Sequence, residues 1–127
     1  MAADARFDGP GPDAQYEAGL RAGRILLQHC EDCANVRFPP ALVCRACGGA
    51  RLGWRESDGR GVVYSTTTVR DRKGDYNVSL VELEGGARML SRVEGVIAPA
   101  IGLRVRGRIV ALEDGVHVVF HAEGEDA

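Results

Sequence analysis

The sequence predicts a mainly β chain built from a short N-terminal helix, a small four-cysteine ribbon and a five-stranded barrel. Three observations carry this. All four cysteines fall in two Cys-x-x-Cys pairs, Cys30/Cys33 and Cys44/Cys47, with ten residues between the pairs. From Gly59 onward, apolar residues recur with period two, broken by turn residues every 10–15 positions. At 127 residues the chain is one domain or two very small ones.

Taken in order, residues 1–12 hold Gly9, Pro10, Gly11 and Pro12 among small and charged residues, which reads as a mobile lead-in. Asp13 can cap a helix through DAQYEAGLRA, with Tyr16 and Leu20 on one face and Gly23 as its stop. So short a helix is marginal alone and must dock, either on this chain or on a partner.

The ribbon, residues 13–57 with that helix, follows. Arg24 to Gln28 gives its first strand, and Val36, Arg37 and Phe38 return as the second. Pro39 and Pro40 remove two ladder donors and end the pairing. Gly48-Gly49 supplies a left-handed turn after the second cysteine pair, and Arg51 to Glu56 closes the ribbon. Trp54 is expected to pack between ribbon and barrel. Two facing Cys-x-x-Cys turns make a tetrahedral thiolate site, so the ribbon reads as a rubredoxin-like zinc ribbon with ligands Cys30, Cys33, Cys44 and Cys47. Iron uses the same four sulfurs, which keeps a rubredoxin-like electron carrier open as a reading. A redox dithiol usually stands alone, and two disulfides would need a secreted chain. A closed four-sulfur site leaves no position for a reacting water, which points to folding and not to metal catalysis.

The barrel is expected over residues 58–122, with 123–127 as a disordered tail. Its strands are GVVYSTTTV, YNVSLVELE, ARMLSRVEG, LRVRGRIVAL and VHVVFHAE. The fourth sets Leu103, Val105 and Ile109 on one face and Arg104, Arg106 and Arg108 on the other. In the fifth, Val116, Val118 and Phe120 point inward. Five strands with glycine at turns suit a small Greek-key barrel, with the OB-fold as the leading candidate. Only VIAPAIG lies between strands three and four, too short for the helix many OB-folds carry there.

Net charge is −2 overall but unevenly spread. Residues 1–36 carry three Arg and six acids, a net of −3. Residues 37–73 carry seven Arg, one Lys and three acids, a net of +5. Residues 74–127 carry five Arg and nine acids, a net of −4. An anionic ligand would be drawn to the middle segment. The small overall charge argues against a general nucleic-acid binder. No apolar run approaches the roughly 18 residues of a membrane helix. The start MAADARFDGP has no apolar h-region, so the expected location is the cytoplasm.

The chain resembles a known family at this point. The residues that carry the resemblance are LxxGRILLQHCEDC, then VRFPP, VCRACGG, GRGVVYSTTTV, YNVSLVELEGGARMLSRVEG and IGLRVRG, over about residues 13–122. It looks like the acyl-CoA-associated zinc-ribbon/OB-fold proteins, formerly a domain of unknown function, found beside thiolases and thiolase-like aldolases. The resemblance implies a non-catalytic accessory subunit in a hetero-oligomer with a thiolase-like partner, helping to hold a CoA thioester. Two departures stand out: Ala34 replaces the glycine usual after the first Cys-x-x-Cys, and the loop DRKGDYN lacks a proline-rich form.

Candidate contacts for the CoA phosphates are Arg37, Arg70, Arg72 and Lys73, since guanidinium forks match phosphate geometry and these lie in the basic segment. Phe38 and Tyr76 could flank an acyl or adenine group, or pack in the core. His29 beside Cys30 could substitute as a ligand but reads as an exposed strand residue. His117 and His121 share a strand face with Val119, read as solvated or interfacial. The Arg104, Arg106, Arg108 stripe could meet phosphate, an acidic partner or water. No catalytic triad motif stands out. A competing class is a single-stranded nucleic-acid binder, which OB barrels often are. It would need base-stacking aromatics and a positive groove, where this barrel has only Tyr64, Tyr76 and Phe120.

Overall fold

In a computed structural model of the chain, residues 11–38 and 40–123 are described. The lead-in through residue 10, Pro39 and the tail from residue 124 lie outside them. One helix, α1 (Pro12–Arg21), precedes eight strands in two antiparallel sheets. The ribbon sheet has the order β2 (Val36–Arg37), β1 (Ile25–Cys30), β3 (Leu52–Ser57). The barrel sheet has the order β6 (Arg88–Ser91), β5 (Tyr76–Leu83), β4 (Arg60–Val69), β7 (Arg104–Leu112), β8 (Gly115–Ala122). The mainly β architecture is therefore the one the period-two pattern predicts. No described helix is long and apolar enough to cross a membrane.

The helix begins two residues earlier than a cap at Asp13 would start it. Pro12 takes the first helical position after Gly11, and Asp13 sits in the first turn. Proline's fixed φ suits that position and its missing N–H costs nothing there, while Asp13 opposes the positive helix end. Gly23, at φ 83°, ends the helix, and Arg24 N–H donates to Gly19 O at 2.8 Å. Gly19 lets the helix approach β1, since a Cβ there would lie 2.6 Å from Leu26 Cδ1.

The barrel closes by OB-fold connectivity. Strands β4, β5 and β6 form a meander, β7 and β8 a hairpin, and β4 pairs with β7 over Arg60–Val62. A parallel bridge from Val93 to Phe120 joins the two sheet ends. Phe120 N–H donates to Arg92 O at 3.0 Å and Glu94 N–H to Phe120 O at 2.7 Å. To serve two neighbours β4 must bend. It does so at a bulge between Val63 and Ser65. At Gly61, an added Cβ would stand 2.5 Å from Glu82 O.

Strand β6 is shorter than the apolar alternation of ARMLSRVEG suggests, because a side chain replaces the ladder beyond Ser91. Asn77 is 2% exposed. Its Nδ2 donates to Val93 O and Val96 O, both at 2.9 Å. Its Oδ1 accepts from Val93 N–H at 2.9 Å and from Ser79 Oγ at 2.7 Å. Segment 93–96 is thus pinned to β5 by a side chain, without strand pairing to it, and every donor and acceptor of the Asn77 amide is used.

Ribbon and barrel share one apolar core. Leu20 from α1 and Ile25 and Leu27 from β1 cluster with Val63, Val81, Met89, Val105 and Phe120. The helix therefore docks on its own chain, with Tyr16 packed against the same cluster. Glu123 adds a contact at the far end, its Oε1 3.5 Å from Arg60 Nε.

Replacing Asn77 by alanine strands the Val93 N–H and two carbonyls in the interior, and each buried unsatisfied group costs about 1–3 kcal/mol. Asn77→Ala should lower the unfolding free energy by about 3 kcal/mol in a urea titration. A loss below about 0.5 kcal/mol, the range of ordinary surface changes, would show that the clamp is dispensable.

Candidate functional site

The ribbon brings its four cysteines together through two matching turns. In the first, Ala34 N–H donates to Cys30 O at 2.9 Å and Cys30 N–H to Asn35 O at 2.9 Å. In the second, Gly48 N–H donates to Cys44 O at 2.7 Å and Cys44 N–H to Gly49 O at 2.8 Å. The two turns are the same structure written twice. Cys30 and Cys44 are buried, Cys33 and Cys47 exposed, and none is in a disulfide.

All four sulfurs lie within 4.8 Å of one another. Cys30 Sγ is 3.6 Å from Cys47 Sγ, and Cys33 Sγ is 3.6 Å from Cys44 Sγ. A tetrahedron with metal–sulfur bonds of ~2.3 Å has edges of about 3.8 Å, so the residues fit a four-thiolate ion. The backbone favours thiolates: Gly49 N–H points at Cys47 Sγ, at 3.4 Å. At Cys44 the Cys47 backbone N–H outweighs burial and lowers the thiol to about 7. At Cys33 the Asn35 backbone N–H acts the same way, but burial and the neighbouring thiols outweigh it and push the group up to about 12. Four crowded sulfurs resist joint ionisation unless a cation sits among them.

Two braces hold this cluster. Asp32 in the first turn accepts from Arg51 Nε at 2.8 Å, on the chain leaving the second turn. Gln28, 4% exposed on β1, exchanges both amide bonds with Ala41, Nε2 to Ala41 O and Ala41 N–H to Oε1, each at 2.8 Å. That clamp ties the loop after the proline pair to the central ribbon strand.

Several expected roles change in the fold. His29 is not exposed: it is 8% accessible, because β1 is flanked by β2 and β3, and its Nδ1 lies 3.4 Å from Glu31 Oε1. The face shared by His117, Val119 and His121 is solvated only in part: the His117 side chain is 43% exposed, while Val119 is 4% exposed. His117 Nε2 donates to Asp114 Oδ1 at 2.8 Å, which holds that carboxyl below its ordinary range. His121 Nδ1 donates separately to Ala122 O at 3.3 Å. Trp54 meets the helix, its indole N–H donating to Gln15 Oε1 at 2.7 Å.

A groove of about 410 Å³ lies between α1, the end of β2 and the barrel. It brings together two of the six candidate ligand contacts, Phe38 and Tyr76. The Phe38 ring packs on Tyr16, centroids 5.1 Å apart at 53°, and burial pushes Tyr16 up to about 12. Arg70, Arg72 and Lys73 stay outside it, exposed on the β4–β5 hairpin that ends at Tyr76. Arg70 pairs with Asp75 at 3.5 Å. Arg37 is half-buried on β2 beside Phe38. Sequence reasoning missed Met89, Leu90, Arg92 and Val116 in the groove lining.

A family model described as the rubredoxin-like zinc ribbon domain of ChsH2 matches residues 18–53, and one described as its C-terminal OB-fold domain matches residues 54–110. The chain belongs to this zinc-ribbon/OB-fold family, DUF35. Within the family, a "DUF35 domain-containing scaffold protein" of Methanothermobacter thermautotrophicus is 29% identical over 107 residues, 76% of this chain and 74% of that protein. The "3-oxo-4,17-pregnadiene-20-carboxyl-CoA hydratase alpha subunit" of Mycobacterium tuberculosis is 30% identical over 103 residues, 76% of this chain but 33% of that protein. A "Probable enoyl-CoA hydratase alpha subunit" of Thermomonospora curvata is likewise matched over only 24% of its length. Among solved structures, a chain of the "Ltp2-ChsH2(DUF35) aldolase" superposes with TM-score 0.74 at 27% identity, over 91% of this chain and 97% of that one.

The matched turns also generate a test. Ala34 and Gly48 hold the same left-handed position, at φ 64° and 78°. Such a conformation costs an L-residue roughly 1–2 kcal/mol, partly offset by glycine's greater freedom when unfolded. Ala34→Gly should raise stability by about 0.5–1 kcal/mol and Gly48→Ala should lower it by a similar amount. Thermal melts of the two variants read this, and melts moving in the opposite directions would refute the equivalence of the turns.

Proposed function

We propose that this chain is a non-catalytic accessory subunit that binds a thiolase-like enzyme and helps hold its CoA thioester substrate. The likeness across nearly the whole of the Ltp2-ChsH2(DUF35) aldolase chain is the observation that carries this reading. The names of the hydratase subunits and of the scaffold protein support the coarser part, membership in assemblies acting on acyl-CoA. In this reading zinc occupies the site formed by Cys30, Cys33, Cys44 and Cys47. A structural ion there supplies no reacting water; its thiolate cage holds the ribbon in shape.

The chain's own residues divide the remaining work. Phe38 and Tyr76 offer aromatic surface to the thioester. Arg70, Arg72 and Lys73 stand on the hairpin that leads into Tyr76, and Arg37 precedes Phe38, so these four flank the groove while Arg92 lines it. Arg72 and Lys73 make no ion pair among the described residues. Exposed guanidinium and ammonium groups of this kind suit phosphates of a mobile cofactor handle. Binding and location in the cytoplasm follow from the same reading.

Co-expression with the thiolase-like enzyme encoded beside it tests the proposal. The two chains should co-purify, and the enzyme alone should turn over its acyl-CoA at least tenfold more slowly than the pair. A partner that ignores the chain and works equally well without it would overturn the reading.

A further inference from the structure

The groove has an internal logic that separates one part of a thioester from another. It opens where β6 and β8 part: past the end of β6 the chain joins β8 at the Val93–Phe120 bridge, and from β6 itself Ser91 Oγ donates to Val118 O at 2.6 Å. Met89 and Val118, 2% and 6% exposed, belong to its lining and to the barrel core. Tyr16 and Phe38 reach it from the ribbon half. It is therefore a slot into the barrel interior, bounded on one side by the ribbon.

Its buried amide and hydroxyl are already used, which leaves the Tyr16 and Tyr76 hydroxyls, Arg92 and His117 as the other polar groups of the lining. The Asn77 amide is spent on Val93, Val96 and Ser79, and the Ser91 hydroxyl on Val118. Among the described residues no buried side-chain nitrogen or oxygen lacks a partner. An adenine or sugar entering here would leave water-bonded groups without replacement, whereas a hydrocarbon loses nothing and removes apolar surface from water. The volume, about 410 Å³, lies within the roughly 300–1,000 Å³ of small-molecule sites.

A second concavity, about 500 Å³, adjoins the slot and shares Tyr76, Asn77 and Arg92 with it. It runs past Asp75, at the foot of the hairpin that bears Arg72 and Lys73. The surface thus passes from apolar slot to cationic loop through Tyr76.

We infer that the slot receives the hydrocarbon part of the acyl group, with the CoA handle leaving past Tyr76 toward the 70–75 loop. This rests on the CoA-thioester reading above and adds which end of the ligand goes where. Binding selects for apolar acyl groups, since a hydroxyl or carboxylate beside Met89 and Val118 would find the Asn77 amide and the Ser91 hydroxyl already taken.

Met89 gives a direct probe, being one of two methionines in the chain. The metal-loaded full chain, labelled at the methionine methyls, is titrated in NMR with octanoyl-CoA and, separately, with CoA. Octanoyl-CoA should shift the Met89 signal saturably, and CoA alone should not. Val78→Trp, which adds bulk to the lining, and Leu90→Asp, which puts charge at the exposed rim, should each weaken octanoyl-CoA at least fivefold. The Leu90 change sits at a 64% exposed position and spares the fold. Equal shifts from CoA alone, or unchanged affinity in both variants, would overturn the assignment. A silent Met89 in a chain that still co-purifies with its enzyme sinks the slot and spares the accessory role. A Met89 shift in a chain that binds no such enzyme upholds the slot and sinks that role.

Discussion

Four sulfurs crowded within 4.8 Å are the constraint on which the ribbon depends. The ribbon has little else to hold it. Its apolar burial amounts to a few side chains, chiefly Ile25 and Leu27, and these point into the barrel's core. Burying one such side chain is worth about 1.5–3 kcal/mol. A structural zinc in a small peptide is worth roughly 10–16 kcal/mol. An ion of that strength bound by the four sulfurs would outweigh packing as the source of order in the two cysteine turns. The hydrogen bonds of Gln28 and Arg51 place those turns, but they cannot by themselves bring four thiols together.

What the ribbon holds in place matters for the barrel. Phe38 lies directly after β2, between the two cysteine turns, and Tyr16 lies on the helix that Trp54 bonds through Gln15. Both rings border the opening between β6 and β8. A barrel of this size, left unpaired along part of one seam, would expose its interior there. The ribbon and helix cover that seam without sealing it by strand pairing, and so leave a cavity with a built apolar lining. Fold support and ligand access are in this sense one arrangement.

The parts legible in sequence are those set by local rules. Cysteine spacing within each turn is set by thiolate geometry, so the four ligand candidates need no tertiary information. Period-two alternation gave the five barrel strands to within a few residues, except where Asn77 supplants the ladder. Asn77 and Gln28 escaped notice because their partners lie 13 to 19 residues away, with no periodicity to announce them. A polar residue on the inward face of an apolar strand, as in YNVSLVEL, is the signal that could have found the first. His29 looked exposed because burial on β1 depends on its being the middle strand, which only strand order reveals. Phe38 and Tyr76 were found for their chemistry, while their meeting in one groove required the fold.

The central claim is that a metal ion, and not packing, orders the ribbon. Elemental analysis of the purified chain, coupled to amide hydrogen exchange before and after chelation, tests it most directly. The account predicts one zinc per chain, with amides of β1–β3 losing their protection when it is stripped and those of β4, β5 and β7 keeping theirs. A chain that carries no metal as isolated, yet protects β1–β3 as well as the barrel strands, would contradict it.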